Sequence, residues 1–113
     1  IEVNKKEENW ITIFEFKGEL DETNADKTFK SLYDEIWDFS WKKIIFSLEW
    51  LKYLNSKSIW YIADVFSNLE DNNWKMYISD CEEWVKDVLE LVGITTIIPT
   101  VDTQAEAIEW ISK

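Results

Sequence analysis

Short apolar runs typical of strands alternate along the chain with longer segments whose apolar residues recur every three to four positions. Residues 1–6 alternate weakly, which predicts an edge strand, and residues 11–16 are rich in β-branched and aromatic side chains, which predicts a second strand. Continuous apolar runs at residues 42–48, 75–79 and 94–98 predict three more strands, each buried in a sheet.

The first two segments with helical spacing follow the second and third strands. A helix is predicted from Asp21, which is expected to be its N-cap, to about residue 38. A link over residues 49–55 leads to the second helix, for which either Asn55 or Ser56 is the expected N-cap. The chain is therefore expected to turn sharply into this second helix.

Two further helices are predicted in the second half of the chain. Asp80 is the expected N-cap of the third helix, and Gly93 is expected to end it in the position after the cap. Pro99 closes the last predicted strand, and residues 103–111 carry one apolar stripe typical of a terminal helix.

The predicted order, β-β-α-β-α-β-α-β-α, is typical of the α/β class. It favours a single domain over residues 1–113, with a mixed sheet of about five strands, the later ones parallel, and about four helices. In such sheets the loops at the carboxyl ends of strands carry the function. The polar corner at residues 55–58 follows the third strand and is therefore the candidate functional site.

Composition excludes several functional classes. A formal net charge of -11 disfavours nucleic acid and anionic membranes as partners, and no apolar stretch is long enough to span a membrane or to form a signal peptide, so a cytoplasmic protein is expected. The chain has no histidine and one cysteine, Cys81, which is expected to be a structural thiol. We therefore expect no catalytic residues, no metal and no cofactor, and a monomer or weak dimer.

Ser56 and Ser58 at the corner have two open interpretations. Serines at helix starts usually act as caps, but the N-terminus of a helix also favours a phosphate, and Lys57 would add a counter-charge. The side chains expected on the outer face of the same helix form either a solvated surface or a docking surface for a partner: Lys57, Trp60, Tyr61 and Asp64.

Four segments together resemble the STAS domain, the family of bacterial anti-sigma factor antagonists. They are Gly18-Glu19-Leu20-Asp21 before a helix, the strand at residues 43–48, Tyr53-Leu54-Asn55-Ser56-Lys57-Ser58-Ile59, and Asp87-Val88-Leu89-Glu90-Leu91-Val92-Gly93-Ile94. The resemblance implies a non-enzymatic protein that binds an anti-sigma factor, itself a serine kinase, until phosphorylation at the start of the second helix ends the binding. A STAS module that senses a ligand or forms a scaffold without being phosphorylated is the alternative.

The resemblance also assigns roles to the corner residues. Asn55, Ser56, Lys57 and Ser58 occupy the places of the family's Asp-Ser-Ser/Thr-Gly pattern, whose third residue accepts the phosphate. Because Lys57 stands in the acceptor place, Ser56 or Ser58 becomes the expected phosphorylation site, unless this chain is not phosphorylated. The expected partner-binding residues are those of the corner and of the outer helix face: Asn55, Ser56, Lys57, Ser58, Trp60, Tyr61 and Asp64.

Tryptophan is unusually frequent in this chain and glycine is unusually rare. The chain has eight tryptophans and two glycines, although glycine is ordinarily about 7% of residues. Trp10, Trp41, Trp50 and Trp74 stand where turns, and hence glycine, are expected, and Trp60 takes the place of a family glycine. Either the chain is genuinely rich in tryptophan, or several of these are UGA codons that the source genome reads as glycine.

Overall fold

The structure, a computed structural model, describes residues 1–37 and 43–113 and confirms the α/β class. Within these residues a mixed sheet of five strands is accompanied by four α-helices and one 3-10 helix. In chain order the elements are β1 (Glu2–Glu8), β2 (Ile11–Leu20), α1 (Ala25–Glu35), β3 (Lys43–Leu54), α2 (Ser56–Asp71), β4 (Lys75–Ser79), α3 (Glu83–Leu91), the 3-10 helix (Ile94–Thr96), β5 (Thr100–Val101) and α4 (Gln104–Ile111).

The order of strands in the sheet is the same as their order in the chain, β1-β2-β3-β4-β5. The β1 and β2 strands form an antiparallel hairpin, and every later pair is parallel, as predicted for the later strands. Parallel neighbours need a crossover segment between them, and the helices supply it. The carboxyl ends of β2, β3 and β4 therefore point in the same direction, which is the edge where α2 begins.

Two apolar cores lie on the two faces of the sheet. Adjacent strand residues point to opposite faces, so Phe46 packs into the larger core with α1, α2 and α3, while Ile45 packs into a smaller core with α4. Ala107 and Ile111 are the buried residues of α4 in the smaller core. This arrangement places α2 on the face that it shares with α1 and α3.

The middle strands are longer than the sequence pattern predicts. The predicted link over residues 49–55 is wrong, because β3 continues to Leu54 and pairs with the end of β2, Leu54 opposite Leu20. Leu51 and Leu54 are buried on this extension, whereas Glu49 and Trp50 are both exposed, and two successive exposed residues interrupt the alternation expected of a strand. The strand therefore resembles a link in the sequence.

Two predicted helix caps are wrong. Asn24, not Asp21, occupies the N-cap position of α1, and the Asp21 carboxylate instead accepts hydrogen bonds from the backbone N–H and hydroxyl of Thr23 in the preceding turn. Glu82, not Asp80, precedes α3. Asp80 has a left-handed backbone, with φ of 59°, and its carboxylate accepts from two serine hydroxyls, so that it stabilises the turn after β4.

The strand predicted at residues 94–98 is also wrong. A 3-10 helix occupies Ile94–Thr96, and the last strand, β5, follows Pro99 instead of ending before it. Ile94 and Ile98 are buried while Ile97 is exposed, which is the spacing of a helical turn rather than of a strand. Gly93 ends α3 with φ of 84°, as predicted, and turns the chain into this segment.

The tryptophan positions have different outcomes. Trp10 lies in the β1–β2 turn with φ of 67° and a 95% exposed side chain, so that a glycine-like turn position is confirmed there. Trp50 lies inside β3 and not in a turn. In the turn between α2 and β4, the residue with a left-handed backbone is Asn73 rather than Trp74. The first helix, predicted to run to about residue 38, is shorter and ends at Glu35. Trp41 and the predicted start of the third strand at residue 42 lie outside the described residues.

Candidate functional site

The α2 helix begins at a corner that is bonded to the end of β2. The backbone N–H of Asn55 donates to the carbonyl oxygen of Leu20 at 3.1 Å. The Asn55 side chain is the N-cap, because its Oδ1 accepts from the backbone N–H of Ser58 at 2.9 Å. Of the two predicted caps, Asn55 is confirmed, and hydrogen bonds anchor the corner at the carboxyl edge of the sheet.

The two candidate serines have opposite environments. Ser56 is the first residue of α2 and is exposed, so its hydroxyl is accessible at the positive end of the helix dipole. Ser58 is 0% exposed, and its hydroxyl donates to Asn55 Oδ1 at 2.6 Å. Ser56 is therefore open to solvent in this structure, whereas Ser58 is enclosed.

Lys57 points toward α1 and forms an ion pair with Asp26, with 2.8 Å between Nζ and Oδ1. The Tyr61 hydroxyl, one turn further along α2, donates to the same carboxylate. Lys57 and then Tyr61 hold the pKa of Asp26 below its ordinary value, and Asp26 in turn raises the pKa of Lys57 and of Tyr61. At neutral pH the three side chains therefore form a charged, hydrogen-bonded cluster.

A second set of contacts extends this connection between α1 and α2. The Tyr33 hydroxyl donates to the Asp64 carboxylate. The Tyr61 ring stacks on Phe29, with 4.7 Å between ring centroids and 9° between planes, so that the tyrosine is packed as well as hydrogen-bonded. Burial, followed by the hydrogen bond to Asp64, raises the pKa of Tyr33. We call the contacts of Lys57, Tyr61 and Asp64 with α1 the α1–α2 clamp.

Trp60 lies on the other side of α2. Its side chain is 73% exposed and borders a small apolar depression that Ser56, Val92 and Ile94 also line. The indole therefore stands between the corner and the segment that follows α3. The Trp60 side chain also borders the shallow depression lined by the clamp residues, so that it lies between the two sides of α2.

The structure brings all seven predicted partner-binding residues to the first three turns of α2 but gives them different roles. Asn55 and Ser58 hold the corner together, whereas the side chains of Ser56 and Trp60 are exposed to solvent. The clamp partners Asp26 and Tyr33 were not predicted as site residues. Both lie on α1. In the sequence, the only indication of their role is that each is a polar residue next to a buried position of that helix.

Other chemistry is sparse in the described residues. No group of acidic and cysteine side chains among them is placed to hold a metal ion. Burial raises the pKa of the Cys81 thiol to about 12, so that the thiolate is disfavoured, in keeping with the expected structural thiol. Within the described part of the chain, no helix is long and apolar enough to cross a membrane.

A family model that covers nearly the whole chain identifies the class of this protein. The family model of the STAS domain matches residues 2–107, which includes every element from β1 through the middle of α4. The chain therefore belongs to the STAS domain family, as the four sequence segments predict. No curated protein matches it in sequence.

Solved structures show the same fold. A candidate anti-sigma factor antagonist from Thermotoga maritima is 23% identical, with a TM-score of 0.92 over 98% of this chain and 95% of that chain. The phosphorylated form of the Bacillus cell fate determinant SpoIIAA is 17% identical, with a TM-score of 0.75 over 97% of this chain and 99% of that chain. A murine anion transporter of the solute carrier 26 family is 12% identical, with a TM-score of 0.79 over 95% of this chain and 18% of that chain.

Proposed function

We propose that this STAS domain is an anti-sigma factor antagonist that binds an anti-sigma factor, itself a serine kinase, through the corner at residues 55–58 and the exposed face of α2. The observation that carries the proposal is the exposed Ser56 hydroxyl at the first position of a helix whose start is bonded to the sheet. The family and the antagonists among its structural neighbours favour the same function. The protein would act in the cytoplasm, as a monomer or weak dimer.

Phosphorylation of Ser56 would end the binding in this proposal. A phosphate carries about -1.5 to -2 charges at neutral pH and is stabilised by the unpaired N–H groups of a helix N-terminus. Lys57 adds a positive charge beside it, although this lysine is already paired with Asp26. The added charge and its hydration shell would stand between the corner and a partner that had packed against a neutral hydroxyl.

The test is to mix the protein with a serine-kinase anti-sigma factor from the same organism, with and without ATP, and to follow the complex by size-exclusion chromatography. We expect a complex without ATP, its loss with ATP, and one phosphate on Ser56 by mass spectrometry. The Ser56→Ala variant should form the complex without ATP and should keep it when ATP is added. Ser31→Ala is the matched control, because Ser31 is exposed on α1 and lies neither at the start of α2 nor among the clamp residues. No complex without ATP would refute the proposed function.

A second candidate function is a STAS module that binds its partner permanently, as a scaffold or ligand sensor, without phosphorylation. Two observations favour it: Lys57 stands in the family's acceptor place and is paired with Asp26, and Ser58 is buried. A stable complex that persists with ATP, and a protein that carries no phosphate after incubation with the kinase, would decide for this alternative.

A further inference from the structure

A groove runs along the side of α2 that faces away from the clamp. One wall is α2 and the other is the segment that contains the 3-10 helix. We call it the α2 groove and define it by Ile59, Trp60, Ala63, Phe66, Val92 and Ile97. It holds two depressions, of about 100 Å³ beside Trp60 and about 420 Å³ beside Phe66. Because these α2 positions are three to four residues apart, the depressions follow one stripe along the helix.

The groove exposes apolar side chains in one place. Trp60 is 73% exposed, Val92 54% and Ile97 52%. Single exposed apolar residues are normal on protein surfaces. Here Trp60 and Val92 line one depression, and Ile97 and partly buried Phe66 line the next one along α2, so that together they form an apolar strip in water. Such a strip is typical of a surface that a binding partner covers.

Charge indicates which partner covers the strip. Glu70 is the one charged residue among those described as lining the two depressions, and it lies at the end of the groove away from Ser56. Glu90, nearby in sequence to Val92, is exposed on α3. A second copy of the chain would bring another net charge of -11 against this surface, and the two copies would repel each other. The partner is therefore expected to be apolar at its centre and basic at its edge.

Length and backbone chemistry indicate the shape of the occupant. The stretch of α2 from Ser56 to Glu70 is ~21 Å long at 1.5 Å per residue, which matches a helix of about 14 residues. The groove is not a sheet edge, and the backbone groups of α2 are bonded within the helix, so that an extended strand would find no backbone partners there. A helix with one apolar face has all of its own backbone bonds and needs only side-chain contacts.

We propose that the α2 groove binds an amphipathic helix of the partner protein, with apolar residues beside Trp60 and Phe66 and basic residues beside Glu70. The identity of the protein that carries this helix rests on the proposed function, whereas the groove itself does not. Ser56 lines the end of the groove next to Trp60, so a phosphate there would place charge against the apolar end of the bound helix.

The groove is tested with a synthetic peptide of about 14 leucines and lysines, with leucine at helical i, i+3, i+4 and i+7 positions, against the full chain labelled with 15N. We expect amide shifts along the groove, and a dissociation constant that Ile97→Asp raises about tenfold or more. Leu91→Asp is the matched control, because this substitution introduces the same charge as Ile97→Asp. Leu91 is 87% exposed and lies near the groove but is not part of its lining. It should change the dissociation constant less than about twofold.

Further controls keep the test decisive. Val92→Asp is a second groove variant, and thermal unfolding shows whether each variant is folded. A scrambled peptide of the same composition has the same charge but no apolar face, so equal binding of both peptides would overturn the inference. Equal effects of Ile97→Asp and Leu91→Asp, or amide shifts that lie mainly outside the groove, would overturn it as well.

The kinase complex separates this inference from the proposed function. If the kinase binds the wild-type protein and the Ile97→Asp variant equally, the groove inference fails and the proposed function stands. If the kinase does not bind at all while peptide binding still depends on Ile97, the proposed function fails and the groove stands. Loss of kinase binding in Ile97→Asp, but not in Leu91→Asp, supports both.

Discussion

Replacing Trp10 by glycine should stabilise the protein, although it removes the largest type of side chain. Asn9 and Trp10 both have positive φ, 51° and 67°, at the tip of the hairpin between β1 and β2, and such turns favour Asn-Gly. A left-handed conformation costs a residue with a Cβ atom about 1–2 kcal/mol, and glycine avoids that cost. The Trp10 side chain is 95% exposed, so that almost no burial is lost with it.

The expected gain is smaller than the strain, because glycine loses more conformational freedom on folding. That entropy costs roughly 0.5–1 kcal/mol, which leaves a net stabilisation of about 0.5–1 kcal/mol. With an unfolding entropy of about 2.1 cal/mol/K per residue over 113 residues, this gain corresponds to a rise in Tm of roughly 2–4 °C. Urea denaturation should show a higher midpoint and an unchanged slope.

Two variants isolate the backbone effect from loss of the indole. Trp10→Ala removes the indole but keeps Cβ, so Trp10→Gly should be more stable than Trp10→Ala by the same net amount, about 0.5–1 kcal/mol. Trp60→Gly lies inside α2, where glycine should instead destabilise by about 0.5 kcal/mol. If Trp10→Gly is no more stable than Trp10→Ala, the reasoning from φ is refuted. UGG codons at all five positions, Trp10, Trp41, Trp50, Trp60 and Trp74, would separately refute the misread-codon interpretation.

Three more predictions concern individual side chains. Asn55→Ala should lower the free energy of unfolding by about 1–2 kcal/mol in urea, because α2 loses its cap and the buried Ser58 hydroxyl loses its acceptor; an unchanged midpoint would contradict this. The pKa of Asp26 is lower in the folded protein than in the unfolded chain. The Asp26 carboxylate therefore stabilises the folded protein at pH values above its unfolded pKa, and this stabilisation is lost as the pH falls through its folded pKa. Lys57→Ala should raise that pKa toward 3.8 in an NMR titration, and no change would contradict the ion pair. Cys81, with a pKa of about 12, should react slowly with iodoacetamide at pH 8 and rapidly in urea, as mass spectrometry would show.

Most of the fold could be predicted because apolar runs and helical spacing are properties of the local sequence. The end of β3 could not, since Glu49 and Trp50 are both exposed there and only the pairing with β2 shows that the strand continues. The segment after Gly93 was also missed, because a run of isoleucines is compatible with either a strand or a tight helical turn. Tertiary packing decides between them, with Ile94 and Ile98 turned inward.

The location of the candidate site could be predicted, but its contacts could not. An apolar run that ends in Asn-Ser before a helical pattern indicates a capped corner, and Asn55 has that role. The pairing of Lys57 with Asp26 depends on how α1 and α2 lie against each other, and no local pattern specifies this. One wall of the α2 groove is the 3-10 segment, whose sequence pattern predicts a strand, so that the sequence pattern does not predict the groove.

The order of the strands also affects how this domain would fold. Because each strand pairs with the one before it in the chain, every pairing closes a loop no longer than a single hairpin or crossover unit. Short sequence separations between contacting residues favour fast folding, since less chain entropy is lost before each contact forms. A sheet that inserted later strands between earlier ones would require longer closures. We therefore expect the sheet to grow outward from the β1–β2 hairpin, with β5 and α4 added last.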